Sequence, residues 1–100
     1  MAQTDDRTSR ISPSRLATRF ARVRQAHQTE LAEDYVELID DLIASRGEAR
    51  AADLAECFGV SPATVARTVQ RLTRDGLVSS EPYRSIFLTR EGQQIAASAR

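Results

Sequence analysis

Three groups of side chains in this 100-residue chain could do chemistry. The first is a pair of carboxylates, Asp34 and Glu37. At i, i+3 on a helix both leave the same side, with Cβ atoms ~5–6 Å apart. Two hard oxygen donors at that separation can close on one divalent ion such as Mn²⁺, and Asp41 continues their face one step further. Two donors do not complete a site, since Mn²⁺ takes about six, and acidic stripes on exposed helices are common. The second group is cationic: Arg67, Arg71 and Arg74 fall in one run with Ala63, Thr64 and Gln70. The third is the lone His27 and the lone Cys57. His27 lies on the apolar row of its own segment and reads as a structural, partly buried histidine. Cys57, beside Phe58, reads as packing.

Periodicity supplies the elements that hold these groups. Residues 1–12 are polar and aperiodic, a disordered lead. Ser12-Pro13 opens a basic amphipathic helix over 13–28, with Leu16, Phe20, Val23 and His27 on one row and Arg15, Arg19, Arg22 and Arg24 around it. That helix either docks on the body of the domain or reaches toward phosphates; its apolar face is thin for a membrane surface. Thr29 is the expected N-cap of an acidic helix whose rows are Leu31, Tyr35, Leu38, Leu42 and Val36, Ile39, Ile43, ended by Gly47. Two short helices follow. Residues 50–58 bury Leu54, Ala55 and Phe58, and Gly59 breaks them. Ser61-Pro62 then caps and starts a second helix with the core row Val65, Val69, Leu72, which stops at Gly76. Residues 77–89 change to the period of a two-strand hairpin, and a last helical segment occupies 91–100.

Helix, glycine turn, helix and hairpin make a winged helix-turn-helix, preceded by the basic helix: a mainly α fold with a small β hairpin. Ala55, Gly59 and Val65 have the right spacing, with a small residue at the helix crossing, a glycine in the turn and an apolar lock on the second helix. The face of the second helix away from its core row presents Ala63, Thr64, Arg67, Gln70, Arg71 and Arg74. Such side chains suit a major groove, with Arg bidentate to guanine, Ala and Thr against a thymine methyl, and later arginines on phosphates. Arg84, at the hairpin tip, would reach a phosphate or the minor groove. The partner implied is double-stranded DNA. Winged helices also serve as protein–protein modules, so a metal-independent interaction or dominant-negative module is the alternative. It would show partner binding without a salt-steep DNA affinity.

Charge supports the DNA reading once it is divided. The formal total is zero, and all 14 basic residues are arginine. Residues 1–28 hold six Arg and two Asp (+4), 29–58 nine acids and two Arg (−7), and 59–90 five Arg and two acids (+3). Affinity for phosphate needs local charge, not net charge. Composition also excludes several classes. No run approaches the ~18–20 apolar residues of a membrane span. One cysteine forms no disulfide framework, and the first ten residues lack the apolar stretch of a signal peptide. A cytoplasmic protein without a membrane partner is expected. One His, one Cys and no glycine-rich phosphate loop argue against an enzyme.

The run from Phe20 to about residue 97 resembles the manganese transport regulators of the diphtheria toxin repressor family. EDYVELIDDLI, the GEAR turn and SPATVARTVQRLTRDGLV carry the resemblance. It implies a homodimeric, Mn²⁺-activated transcriptional regulator, usually a repressor of manganese uptake genes. The Asp and Glu of D-Y-x-E would be metal ligands, here Asp34 and Glu37, and the DNA-facing positions fall on Ser61, Ala63, Thr64 and Arg67. Relatives often carry the proline one residue later than Pro62, which bears on the contact made by Ala63. The family's remaining ligands, a histidine and further Glu and His residues, are expected on helices beyond Arg100 that also form the dimer interface. Residues 29–90 are therefore expected to be the DNA-binding domain, and 91–100 the start of a truncated linker or dimerisation helix.

Overall fold

A computed structural model describes residues 12–81 and 84–99. The expected lead, apart from Ser12, and the tip residues Pro82 and Tyr83 lie outside them. Four helices and one hairpin follow in order: α1 (Pro13–Arg46), α2 (Ala51–Phe58), α3 (Pro62–Arg74), β1 (Val78–Ser79), β2 (Phe87–Leu88) and α4 (Arg90–Ala99). The chain divides into two compact units, residues 1–30 and 31–100.

In the first unit, Ser12 caps α1: its Oγ accepts the Arg15 N–H at 3.2 Å, and Pro13 fills the first helical position. The expected helix start at Thr29 is absent, because α1 runs through it. Nothing between Gln25 and Leu31 breaks a helix, and the Thr29 hydroxyl donates to the Gln25 carbonyl at 2.9 Å instead of capping. The apolar row of this stretch is largely exposed. Leu16 is half-buried, but Phe20 and Val23 are 59% and 66% exposed, and His27 is exposed rather than structural. With only three large apolar residues in the row, this stretch has too little to bury a face.

The second unit holds the core. Tyr35, Ile39, Leu42, Ala49, Leu54, Val65, Val69, Leu72, Val78 and Ile86 form one buried cluster, drawn from every element except α4 and β2. Tyr35 stacks on Phe58 at 4.6 Å between ring centroids, joining the acidic part of α1 to α2. Cys57, next to Phe58, is exposed, so it does not pack. The helical row of α2 turns inward at Leu54 and Phe58, and Cys57 is rotated ~100° from Phe58.

The turn between α2 and α3 closes as a Schellman motif. The Val60 N–H donates to the Ala55 carbonyl at 3.1 Å and the Gly59 N–H to the Glu56 carbonyl at 3.3 Å. That geometry needs a left-handed residue, and Gly59 supplies it at φ 66. The hairpin is shorter than its β-rich sequence suggested, with two residues per strand, antiparallel, pairing Val78 with Leu88 and Ser79 with Phe87. Alternation survives nevertheless: Ile86 is buried, Phe87 exposed and Leu88 half-buried. One more bond, Ile86 N–H to the Ala49 carbonyl at 2.7 Å, ties the hairpin to the loop before α2.

Candidate nucleic-acid interface

Helix α3 is two-faced because its apolar residues recur at helical spacing. Val65, Thr68, Val69 and Leu72 are buried, while Ala63, Ala66, Arg67, Gln70, Thr73 and Arg74 are exposed. Ser61 begins the helix: its Oγ accepts the Thr64 N–H at 3.1 Å and lies 2.9 Å from Thr64 Oγ1. The two hydroxyls are thus engaged with each other, and Thr64 is half-buried. Arg67 is exposed near the middle of the outward face. Arg71 sits at its edge, half-buried, with one guanidinium nitrogen (Nη2) enclosed and unpaired. Of the six residues expected to face DNA, Ser61, Ala63 and Arg67 therefore present themselves most openly, with Thr64 and Arg71 at one flank.

Arg84 belongs to the hairpin, where its Nε lies 3.4 Å from Glu81 in an exposed ion pair. It lines an open cleft of about 780 Å³ that runs beside α3, between Arg50 at the start of α2 and Ser80–Glu81 of the hairpin. Arg50 and Arg84 thus lie on the cleft that borders the outward face of α3.

The hairpin is held to α2 by a polar latch that periodicity could not reveal. Glu48 accepts from Arg50 Nε at 3.0 Å through one oxygen and from the Ser85 hydroxyl at 3.0 Å through the other. The hydrogen bond from Arg50 is the main cause that holds the Glu48 carboxyl below its ordinary 4.5; Ser85 and the charge of Arg50 add to it. Arg50 is raised in return, chiefly by its bond to Glu48. The backbone N–H of Arg50 in turn donates to Asp53 at 3.2 Å, which fixes the first turn of α2. The available signal was the alternating charge of the GEAR turn, but its partner, Ser85, lies 37 residues away.

The carboxylate pair is carried on α1 within the second unit. Tyr35 and Val36, between the two acids, are buried, which leaves Asp34 exposed and Glu37 half-buried. Carboxylate oxygens suit a hard divalent ion. Among the described residues, however, no three His, Cys, Asp or Glu side chains stand where they could hold one metal ion. Two carboxylates are fewer donors than such an ion takes.

Helix, Schellman turn, helix and antiparallel hairpin define a winged helix-turn-helix protein. Solved structures agree on the fold. The M. tuberculosis transcriptional regulator MosR, 23% identical, matches with a TM-score of 0.52 over 88% of this chain and 72% of its own. Transcriptional regulator Tm0710 from Thermotoga maritima, 21% identical, gives 0.52 over 84% and 66%. The family model for the iron dependent repressor, N-terminal DNA binding domain, matches residues 27–86, and the chain belongs to that family. Transcriptional regulator MntR of Escherichia coli O6:H1 is 51% identical over 81% of this chain and 52% of its own length. The corresponding MntR of Salmonella typhimurium is 49% identical over the same shares. HTH-type transcriptional regulator MntR of Bacillus subtilis is 43% identical over 63% of this chain and 44% of its own. The chain spans about half the length of these relatives. Among the described residues no helix is long and apolar enough to cross a membrane.

Proposed function

We propose that this chain is the DNA-binding part of a manganese-responsive transcriptional regulator, acting as a cytoplasmic homodimer that represses metal-uptake genes. The observation that carries the reading is α3: a capped helix, locked by Val65, Val69 and Leu72, whose free face bears Arg67, Gln70 and Arg74. In this reading residues 29–90 are the DNA-binding domain, the basic stretch 13–28 precedes it, and 91–100 open a linker or dimerisation helix. Arg67 reads a guanine edge, Ala63 meets a thymine methyl, and the Ser61 and Thr64 hydroxyls contact DNA at the mouth of the groove. Arg71 and Arg84 hold phosphates.

Asp34 and Glu37 serve as two donors to the metal, with the others supplied from outside the described residues. A dimer would set two reader helices about one helical turn of DNA apart. Metal and operator would then stabilise the same arrangement, by ~1–3 kcal/mol.

The test is a titration of duplex DNA with these hundred residues, at about 50 and 200 mM salt, with and without Mn²⁺. Salt-steep binding with little response to Mn²⁺ is expected, because two carboxylates are an incomplete donor set; a large metal-dependent gain would sink that part of the reading. Selection from a randomised duplex pool completes it. Arg67→Ala should relax one position of the selected site, at about 1–3 kcal/mol, whereas Arg71→Ala should weaken all sequences alike. Absence of salt-steep binding, with capture of a protein partner, would favour an interaction module.

A further inference from the structure

The part of α1 before residue 27 lies outside the matched family domain, yet it is the most basic stretch of the described chain. Between Ser12 and Thr29 there are four arginines and no carboxylate. Arg15, Arg19 and Arg22 recur at i, i+4, i+7, which places them in one row along the helix; Arg24 stands apart from it. All four are exposed. The ion pairs Arg46–Asp53, Arg50–Glu48 and Arg84–Glu81 engage other arginines.

We infer that the row Arg15, Arg19, Arg22 is a second contact for the DNA backbone, separate from the reader helix and blind to sequence. The geometry suits one phosphate strand. Seven residues of α-helix rise ~10.5 Å, while a B-DNA strand presents one phosphate per ~3.4 Å of axis, so three guanidinium groups can engage successive stretches of one strand. Arginine also forks onto phosphate oxygens in pairs. A membrane surface is the less suited partner: an interfacial helix lays down a broad apolar face, and here only Leu16, Phe20 and Val23 are large, with alanines beside them. The inference rests on the DNA-binding reading above, since a phosphate row without a reader helix would have nothing to assist.

The experiment compares the full chain with the triple variants R15A/R19A/R22A and R15K/R19K/R22K, on one selected duplex and one scrambled duplex, across salt. Alanine keeps the helix, which circular dichroism checks. The alanine variant is expected to lose between about 2 and 3 from the slope of log affinity against log salt, at ~0.9 per phosphate released. Its deficit against the unmodified chain should therefore shrink roughly 40-fold between about 50 and 200 mM salt. The ratio of selected to scrambled affinity should stay constant, and the lysine variant should restore most of the slope. An unchanged slope in the alanine variant, or a lysine variant that restores nothing, overturns the inference while leaving the reader helix in place. Binding of the unmodified chain to phosphatidylserine vesicles, lost in the alanine variant whose DNA slope is unchanged, assigns the row to a membrane instead. If the unmodified chain binds no duplex, the DNA-binding reading itself fails and the row falls with it.

Discussion

Helix α1 contains two segments of similar length and opposite character. Residues 13–30 carry four arginines and half-bury only Leu16; residues 31–46 carry five acids and bury Tyr35, Val36, Ile39 and Leu42. Both are helical. Helicity alone therefore says little about which part belongs to a core; what separates them is the supply of large apolar residues on one side. Leu31, Tyr35, Leu38 and Leu42 recur with Val36, Ile39 and Ile43, while the first segment offers Leu16, Phe20 and Val23 only.

That contrast can be broken by mutation, beginning where the loss should be greatest. Ile39→Ala removes a fully buried side chain and should cost ~2–5 kcal/mol in a urea melt. A cost below about 1 kcal/mol would mean the second segment is not anchored as described. Gly92→Ala should cost ~1–3 kcal/mol, because an added Cβ would run into the Leu77 carbonyl, which is backbone and cannot swing away. Ser61→Ala removes the cap of α3 and should cost about 1 kcal/mol. It should also weaken DNA binding, which a titration beside the melt would detect. Phe20→Ala should change stability by less than about 0.5 kcal/mol, since the side chain is 59% exposed. A loss like that of Ile39→Ala would erase the distinction between the segments.

The smallest effect sharpens the picture by pH. Glu48 has a folded pKa depressed below its ordinary 4.5, so its contribution is fully present above that value and is lost as pH falls through the folded pKa. Glu48→Gln should therefore lower the melting midpoint modestly near neutrality. The difference from the unmodified chain should fade in acid below pH 4.5. A gap that is constant with pH would show that the latch does not act through the charged carboxylate.

The core and helix α3 were legible because their apolar residues recur at helical period. Leu54, Val65, Val69 and Leu72 all fall where their spacing puts them, and Ser61-Pro62 starts α3 as capping chemistry requires. Thr29 misled because threonine caps helices and also tolerates their interior by bonding four residues back, and local sequence does not choose between the two. Row periodicity likewise gave Phe20 and His27 an inward side, since it marks a preferred face whether or not anything packs against it. The latch of Glu48 and Ser85 and the enclosed nitrogen of Arg71 depend on residues far apart in the chain or on the packing of a flexible side chain, so no local pattern announces them. Spacing offered Asp34 and Glu37 as a divalent-ion pair and the outward face of α3 as a groove reader, and resemblance added Ser61 and the ligand role of the two acids.

The start of α4 is fastened to the turn after α3 by one residue. The Thr89 hydroxyl donates to the Gly76 carbonyl at 2.6 Å and accepts the Gly92 N–H at 3.1 Å, while its own N–H donates to the Leu77 carbonyl at 3.0 Å. Gly92 lies close against that same carbonyl. Thr89 thus joins the first turn of α4 to the residues that immediately follow α3. A change of direction at the start of α4 would therefore be felt first at the Gly76–Leu77 turn that follows α3.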